Sequence, residues 1–208
     1  TCAGPVTPTG GTYTNTGKIE GGDFGIQASG IIDTVQNSGA ISGNTNGLDN
    51  SGAISTLANS VTGQITGGNA GVRNGDTITS LTNSGLIHGD VYDGITNVDT
   101  ITSLINNASG ELSGGFLGIR NEGLIATLTN AGTITGGSTG IANFNGTIGA
   151  LTNTGTISGV GWGGIWTSSG STIGDLANSG TISGQLTGLI NGGAITTLSN
   201  SGTISGID

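Results

Sequence analysis

The sequence predicts an all-β fold, a parallel three-sided β-helix (solenoid) of about nine coils with a period near 23 residues. The first observation is a repeat: the segment LTNTGTISG at 151–159 returns almost unchanged at 128–136, 176–184 and 198–206. The second is glycine, which is 45 of 208 residues where average usage gives about 15. The third is that these glycines lie at fixed offsets from aliphatic residues without a helical stripe, so short strands and turns are favoured.

Each predicted coil begins with a strand of the form Ile-x-x-Leu, in which both aliphatic residues are expected to face the core. Successive anchors lie 22 to 25 residues apart, at Ile32, Ile54, Ile78, Ile101, Ile125, Ile148, Ile173 and Ile195. An earlier unit carries Ile19 but no Ile-x-x-Leu pattern, so we expect it to lack a first strand. Residues 1–12 are predicted to be irregular and residues 13–208 to form one repeat domain.

The second strand of a coil centres on one isoleucine and the third on a Gly-aliphatic pair, as at Ile157 and Ile165. Turn-forming Asn-x-Gly and Gly-rich segments separate the three strands. Equivalent strands of successive coils should therefore pair in parallel about 4.8 Å apart, with aliphatic columns inside. Nine such coils give a prism of roughly 40 Å.

Asparagines recur at the coil corners and form two predicted columns. One runs from Asn15 to Asn200 and the other from Asn50 to Asn191, interrupted at Thr167. Stacked amides can hydrogen-bond along the axis, and Asn suits tight corners. We interpret both columns as structural.

Composition excludes several function classes. The formal net charge is -9, and the bases are Lys18, Arg73 and Arg120, too few for the phosphate contacts of nucleic-acid binding. Cys2 is the single cysteine, which leaves no cysteine pair for an internal disulfide or a Cys-based metal site. With no methionine or signal peptide, the chain is expected to be a processed product or a fragment. No pattern indicates a cofactor.

The unit Leu-x-Asn-x-Gly-Thr-Ile-x-Gly resembles the Gly/Ser/Thr/Asn-rich repeats of autotransporter passenger domains, the type V secreted adhesins of bacteria. The resemblance covers residues 13–208. It implies a right-handed coil, export and display at the cell surface, and tethering to the outer membrane through regions outside this chain. It carries over no catalytic residue.

Candidates for chemistry are few. His88 follows the inward Ile87 and is expected to be a solvated surface residue. Asp90 and Asp93 flank the most polar corner and are the candidates for an acid pair or a calcium site. We favour a solvated acidic loop there, with no catalytic residue and no metal.

The rare aromatic side chains are the main candidates for contacts with a partner. Tyr92, Phe116 and Trp162 occupy one column, which either fills a widened corner of the core or forms an exposed stripe. Trp166 follows the inward Ile165 and should point outward, which makes it the best single contact candidate.

Two rows of hydroxyl side chains are predicted on one outer face, among them Thr156, Ser158, Thr181 and Ser183. Such rows suit partner contacts or, alternatively, ice binding, although they are interrupted at His88.

The predicted function is that of a non-catalytic adhesin segment. It would be displayed at the bacterial surface or secreted, and would act as a stiff stalk. Its partner would be a host surface protein, a glycan or another copy of itself. The alternatives are a polysaccharide-active β-helix enzyme and an ice-binding solenoid.

Overall fold

The computed structural model describes residues 6–206 as a β-solenoid of 26 strands and no helix. Its three parallel sheets contain nine, nine and eight strands, which make eight complete coils and the first two strands of a ninth. The predicted fold class, with its period near 23 residues, is confirmed. The structure does not describe residues 1–5, which include Cys2, or residues 207–208 at the end of the predicted domain.

The first sheet is formed by the Ile-x-x-Leu/Val strands together with β1, which lacks that pattern. They are β1 (Thr12–Asn15), β4 (Ile32–Asn37), β7 (Ala53–Asn59), β10 (Thr77–Asn83), β13 (Thr100–Asn106), β16 (Leu124–Asn130), β19 (Thr147–Asn153), β22 (Thr172–Asn178) and β25 (Ala194–Asn200). The prediction that the first coil lacks this strand was wrong. Tyr13 of β1 pairs in register with Val35, because the neighbouring coil supplies a template that the local sequence does not reveal.

The second sheet is formed by the short Thr-Ile-Ser/Thr-Gly strands and their variants. They are β2 (Lys18–Glu20), β5 (Ala40–Gly43), β8 (Gln64–Gly67), β11 (Leu86–Gly89), β14 (Glu111–Gly114), β17 (Thr133–Gly136), β20 (Thr156–Gly159), β23 (Thr181–Gly184) and β26 (Thr203–Gly206).

The third sheet is formed by the Gly-aliphatic strands. They are β3 (Phe24–Ala28), β6 (Asn46–Asn50), β9 (Ala70–Asn74), β12 (Asp93–Asn97), β15 (Leu117–Asn121), β18 (Thr139–Asn143), β21 (Gly163–Thr167) and β24 (Thr187–Asn191). At its edge Val6 makes an isolated parallel bridge to Ile26.

The core is a stack of aliphatic columns. In the coil that begins at β19, Ile148, Leu151, Ile157 and Ile165 are all fully buried. Burial of each such side chain stabilises the fold by roughly 1.5–3 kcal/mol. One coil has no partner for these side chains, so neighbouring coils are what make the core.

Both asparagine columns form amide ladders, as predicted. In the first ladder, which runs along the corner after the first sheet, eight Nδ2–H donors bond to the next Oδ1 at 2.7 to 2.9 Å. In the second, four such bonds of 2.7 or 2.8 Å connect Asn50 to Asn143. The ladders satisfy amides that would otherwise be buried without partners.

Candidate functional site

The outer surface of the third sheet, which we call the third-sheet face, differs from the other two. All strands of the sheet except β21, which has Gly163 at the first position, place two side chains outward, and a glycine between the two positions points into the core. At Gly71 an added Cβ would lie 2.7 Å from the Ile87 Cγ2 atom, so only glycine fits. The two outward residues of β12 are consequently Asp93 and Thr96, whose side chains hydrogen-bond to each other.

An aromatic cluster occupies one part of this face. The Trp166 ring makes edge contacts with Phe144 at 4.6 Å and with Trp162 at 4.8 Å between centroids. Arg120 places its guanidinium carbon 5.5 Å from the centre of the Phe144 ring, which is cation–π distance. All three rings are half-buried, so each keeps surface available to a partner.

Trp166 points outward as predicted, but the neighbouring rings shield it more than an isolated surface tryptophan. Ala142, which pairs with Trp166 in the preceding coil, is fully buried although its position faces outward. The cluster therefore caps the sheet with a rigid apolar surface.

Tyr92 and Phe116 form an exposed stripe beside the sheet. The Phe116 amide donates to the Tyr92 carbonyl oxygen at 2.7 Å, so the two residues occupy one column in adjacent coils. Their side chains are 53% and 49% exposed. The hypothesis that these aromatics fill a corner of the core was wrong for both, because the column lies outside the sheet backbone.

Asp93 was predicted to belong to a solvated loop, and this was wrong. It is buried, at 3% exposure. Its Oδ2 atom accepts a hydrogen bond from the Thr96 hydroxyl at 2.8 Å, while Oδ1 has no partner among the described residues. Burial raises the pKa of Asp93 to about 6, the Thr96 hydrogen bond and Arg120 opposing the rise and Glu122 adding to it.

Asp90 is in a different environment from Asp93. Its side chain is 69% exposed, and its carboxylate lies 3.2 Å from His88 Nε2. It lines a groove with Glu20, Ser42 and Thr66, whereas Asp93 lines a separate depression. The two carboxylates thus do not share one cleft, the arrangement that paired-acid hydrolysis of a polysaccharide requires.

His88 lies on the outer surface of the second sheet, as predicted, and is half-buried. Its Nδ1 atom is 2.9 Å from the Ser113 hydroxyl of the next coil. Contact with Ser113 and Asp90 gives this histidine a surface network along the column of hydroxyl residues.

The predicted hydroxyl rows lie on the second sheet. Thr156 pairs in register with Thr181, and Ser158 with Ser183. All four are half-buried, and the two serines line a shallow groove with Val160 and Gln185. The rows are regular from β17 to β26, and their side chains are small.

Several contributors to the third-sheet face were missed from the sequence. Arg120 bonds through Nε to Glu122 at 2.8 Å, and Arg73 donates to Asp49 at 3.4 Å. Phe144 was not singled out either. The available signal was the register: Arg73, Arg120 and Trp166 all occupy the second outward position of the third-sheet strands.

Within residues 6–206 no three or more His, Cys, Asp or Glu side chains are grouped closely enough to hold a metal ion. The same part of the chain contains no helix long and apolar enough to span a membrane. No known family model matches the chain, and no similar curated protein or solved structure was found.

Proposed function

We propose that this chain is a non-catalytic, adhesive segment of an autotransporter-like protein displayed at a bacterial surface, and that it adheres through the third-sheet face. One observation carries the proposal. Six of the seven aromatic residues lie on or beside this one face; they are Phe24, Tyr92, Phe116, Phe144, Trp162 and Trp166. Two of the three bases share it.

Aromatic and arginine side chains supply most of the binding energy in protein interfaces. Here Trp166, Arg73 and Arg120 stand on strands that pair with neighbouring coils on both sides, and Tyr92, Phe116, Phe144 and Trp162 lie directly beside such strands. Little conformational entropy is lost when a partner binds such a preorganised surface. Elsewhere the coils present mostly Ser, Thr and Asn, which suit a hydrated stalk.

The partner is a host surface protein, a glycan or another copy of the chain. For self-association, the charge of -9 on each copy opposes approach at low ionic strength, because the Debye length is long there. Association should therefore strengthen as salt is raised to about 0.15 M. This dependence is opposite to that expected for binding to a polyanion.

The experiment compares beads coated with the parent chain, with Trp166→Ala and with Thr181→Ala. Trp166→Ala tests the third-sheet face, and Ala142 occupies the same position one coil earlier, so alanine fits the coil. Thr181→Ala is the matched control on the second sheet. We expect parent and control beads to bind epithelial monolayers or one another, and Trp166→Ala beads to bind at least fivefold less.

Sedimentation velocity at low and physiological salt separates the two modes. A concentration-dependent dimer identifies self-association, and a monomer that still binds cells identifies a host partner. Parent beads that bind neither cells nor one another would refute the adhesive function. Equal loss in both variants would refute its assignment to the third-sheet face.

A further inference from the structure

The depression around Asp93 contains an unsatisfied acceptor. A buried polar atom without a hydrogen-bond partner destabilises the fold, so such atoms are uncommon in folded proteins. Oδ1 of Asp93 has no partner among residues 6–206, while Oδ2 of the same carboxylate is bonded to Thr96. One oxygen is thus used by the fold, and the other is a buried acceptor whose capacity is unused by the described residues.

Another coil of the same chain shows how polar side chains at these two positions can satisfy each other's hydrogen bonds. Two coils earlier, Asn46 and Asp49 occupy the places of Asp93 and Thr96. There the Asn46 amide donates to the Asp49 carboxylate at 2.9 Å, and Arg73 donates to the same oxygen. An acid at the second position beside an asparagine therefore gives a closed polar pair at one coil, and an acid at the first position beside a threonine leaves one acceptor unsatisfied at the other.

Asp93 lines a depression of about 200 Å³. Its walls include Asn69, Tyr92, Thr96 and Arg120. Pockets for drug-sized molecules measure roughly 300–1,000 Å³, so this space suits a single small ring. The mixture of one aromatic side chain and several polar groups matches a site that orients its ligand by hydrogen bonds.

The charges select the kind of donor. The Arg120 guanidinium beside the depression is paired with Glu122, so the charge left at the site is that of the Asp93 carboxylate, which disfavours an anion. A hydroxyl group fits both neighbours, since it donates to the carboxylate and accepts from the guanidinium.

The stripe of Tyr92 and Phe116 extends the site along the axis. These exposed rings occupy successive coils, which are spaced about 4.8 Å apart. Apolar faces of sugar rings can pack on such rings while their hydroxyls stay hydrated.

We propose that the depression binds the terminal pyranose of a neutral glycan, with one sugar hydroxyl donating to the Asp93 carboxylate and the following sugars packed along Tyr92 and Phe116. The proposal rests on the adhesive function above and names its ligand class. A site built to accept a hydroxyl proton rejects ligands that lack it.

The test uses the chain with an array of neutral and charged glycans, followed by calorimetry with cellohexaose, maltohexaose, mannohexaose and chitohexaose. We expect at least one neutral oligosaccharide to bind with a Kd below about 1 mM. Asp93→Ala should weaken this binding at least tenfold, and Tyr92→Ala at least threefold. Alanine is tolerated at position 93, because Ala70 occupies the same place one coil earlier.

Asp33→Ala is the matched control, since it removes the same charge from an exposed position of the first sheet. It should leave the affinity unchanged, and all variants should keep the parent melting temperature or exceed it. Binding confined to charged glycans, no binding to any neutral one, or equal affinity of Asp93→Ala and parent would each overturn the proposal. If coated beads adhere through Trp166 while neutral glycans fail, only the ligand assignment is lost.

Discussion

Asn106 is the position at which the amide ladder can be tested most directly. It is fully buried, and its Oδ1 atom accepts from Asn83 Nδ2 at 2.9 Å. Its own amide donates to Asn130 Oδ1 at 2.8 Å, and to the carbonyl oxygens of Gly110 and Thr133 at 3.1 Å. Asn106→Ala removes all four contacts without adding volume.

The magnitude follows from Asn130 Oδ1, which loses its donor, and from the other three hydrogen bonds that are lost; the Asn83 amide still donates to the Gly85 and Glu111 carbonyl oxygens. A buried acceptor without a partner costs roughly 1–3 kcal/mol and each lost hydrogen bond roughly 0.5–1.5 kcal/mol, so the total loss is about 4 kcal/mol. For a chain of this size each kcal/mol lowers the melting temperature by about 2–4 °C. We therefore expect Asn106→Ala to melt about 8–16 °C below the parent.

Thermal unfolding followed by the strand signal in circular dichroism measures this change. Asn191→Ala is the control, because Asn191 is exposed and, within residues 6–206, its side-chain oxygen accepts only from the Gly193 amide at 3.2 Å. Its melting temperature should move by less than about 2 °C. A melting temperature of Asn106→Ala equal to that of the control would show that the ladder does not stabilise the stack.

Three further perturbations test the core, the corners and the buried carboxyl. Ile157→Asn should abolish the cooperative transition or lower the melting temperature by more than 10 °C, because it puts an unpartnered amide in a fully buried column; an unchanged melting temperature would contradict the column assignment. Gly132→Ala should destabilise the fold by about 2 kcal/mol or more, because its Cβ would collide with the Gly110 carbonyl oxygen, whereas Gly22→Ala has open space and should be neutral. For Asp93 the pKa rises from 3.8 to about 6 on folding, so its contribution to unfolding free energy is greatest below pH 3.8 and is lost as pH rises through about 6, by up to about 3 kcal/mol. Asp93→Asn should remove that slope and exceed the parent in stability at pH 7; urea titrations of both from pH 4 to 7.5 with the same slope would contradict it.

The fold was predictable because each repeat of the sequence corresponds to one coil of the structure. Ile157, for example, faces the core for the same reason as its counterpart in every other coil, so the repeat alone identifies the columns. The asparagine ladders were predictable in the same way. The strand containing Tyr13 was missed because it has no Ile-x-x-Leu pattern and depends on pairing with the next coil.

The candidate site was only partly predictable, because its contacts cross between coils and around corners. Trp166 could be assigned to the surface by alternation, but its contact with Phe144 joins residues on different coils across a corner. The burial of Asp93 depends on the neighbours that line its depression, among them Tyr92 and Arg120. The sequence pattern gives the position of the Asp93 carboxyl along the coil, but it does not show how far neighbouring side chains bury that carboxyl.

The first amide ladder also has a direction. Each asparagine donates toward the following coil, from Asn15 Nδ2 to Asn37 Oδ1 at one end and from Asn178 Nδ2 to Asn200 Oδ1 at the other. The amide dipoles therefore add along the axis, as peptide dipoles do in a helix, and neighbouring bonds polarise one another. The prism is electrically polar, with an acceptor-rich end at Asn15 and a donor-rich end at Asn200. A coil added beyond Asn200 would thus meet an amide donor, whereas a coil added before Asn15 would meet an amide oxygen.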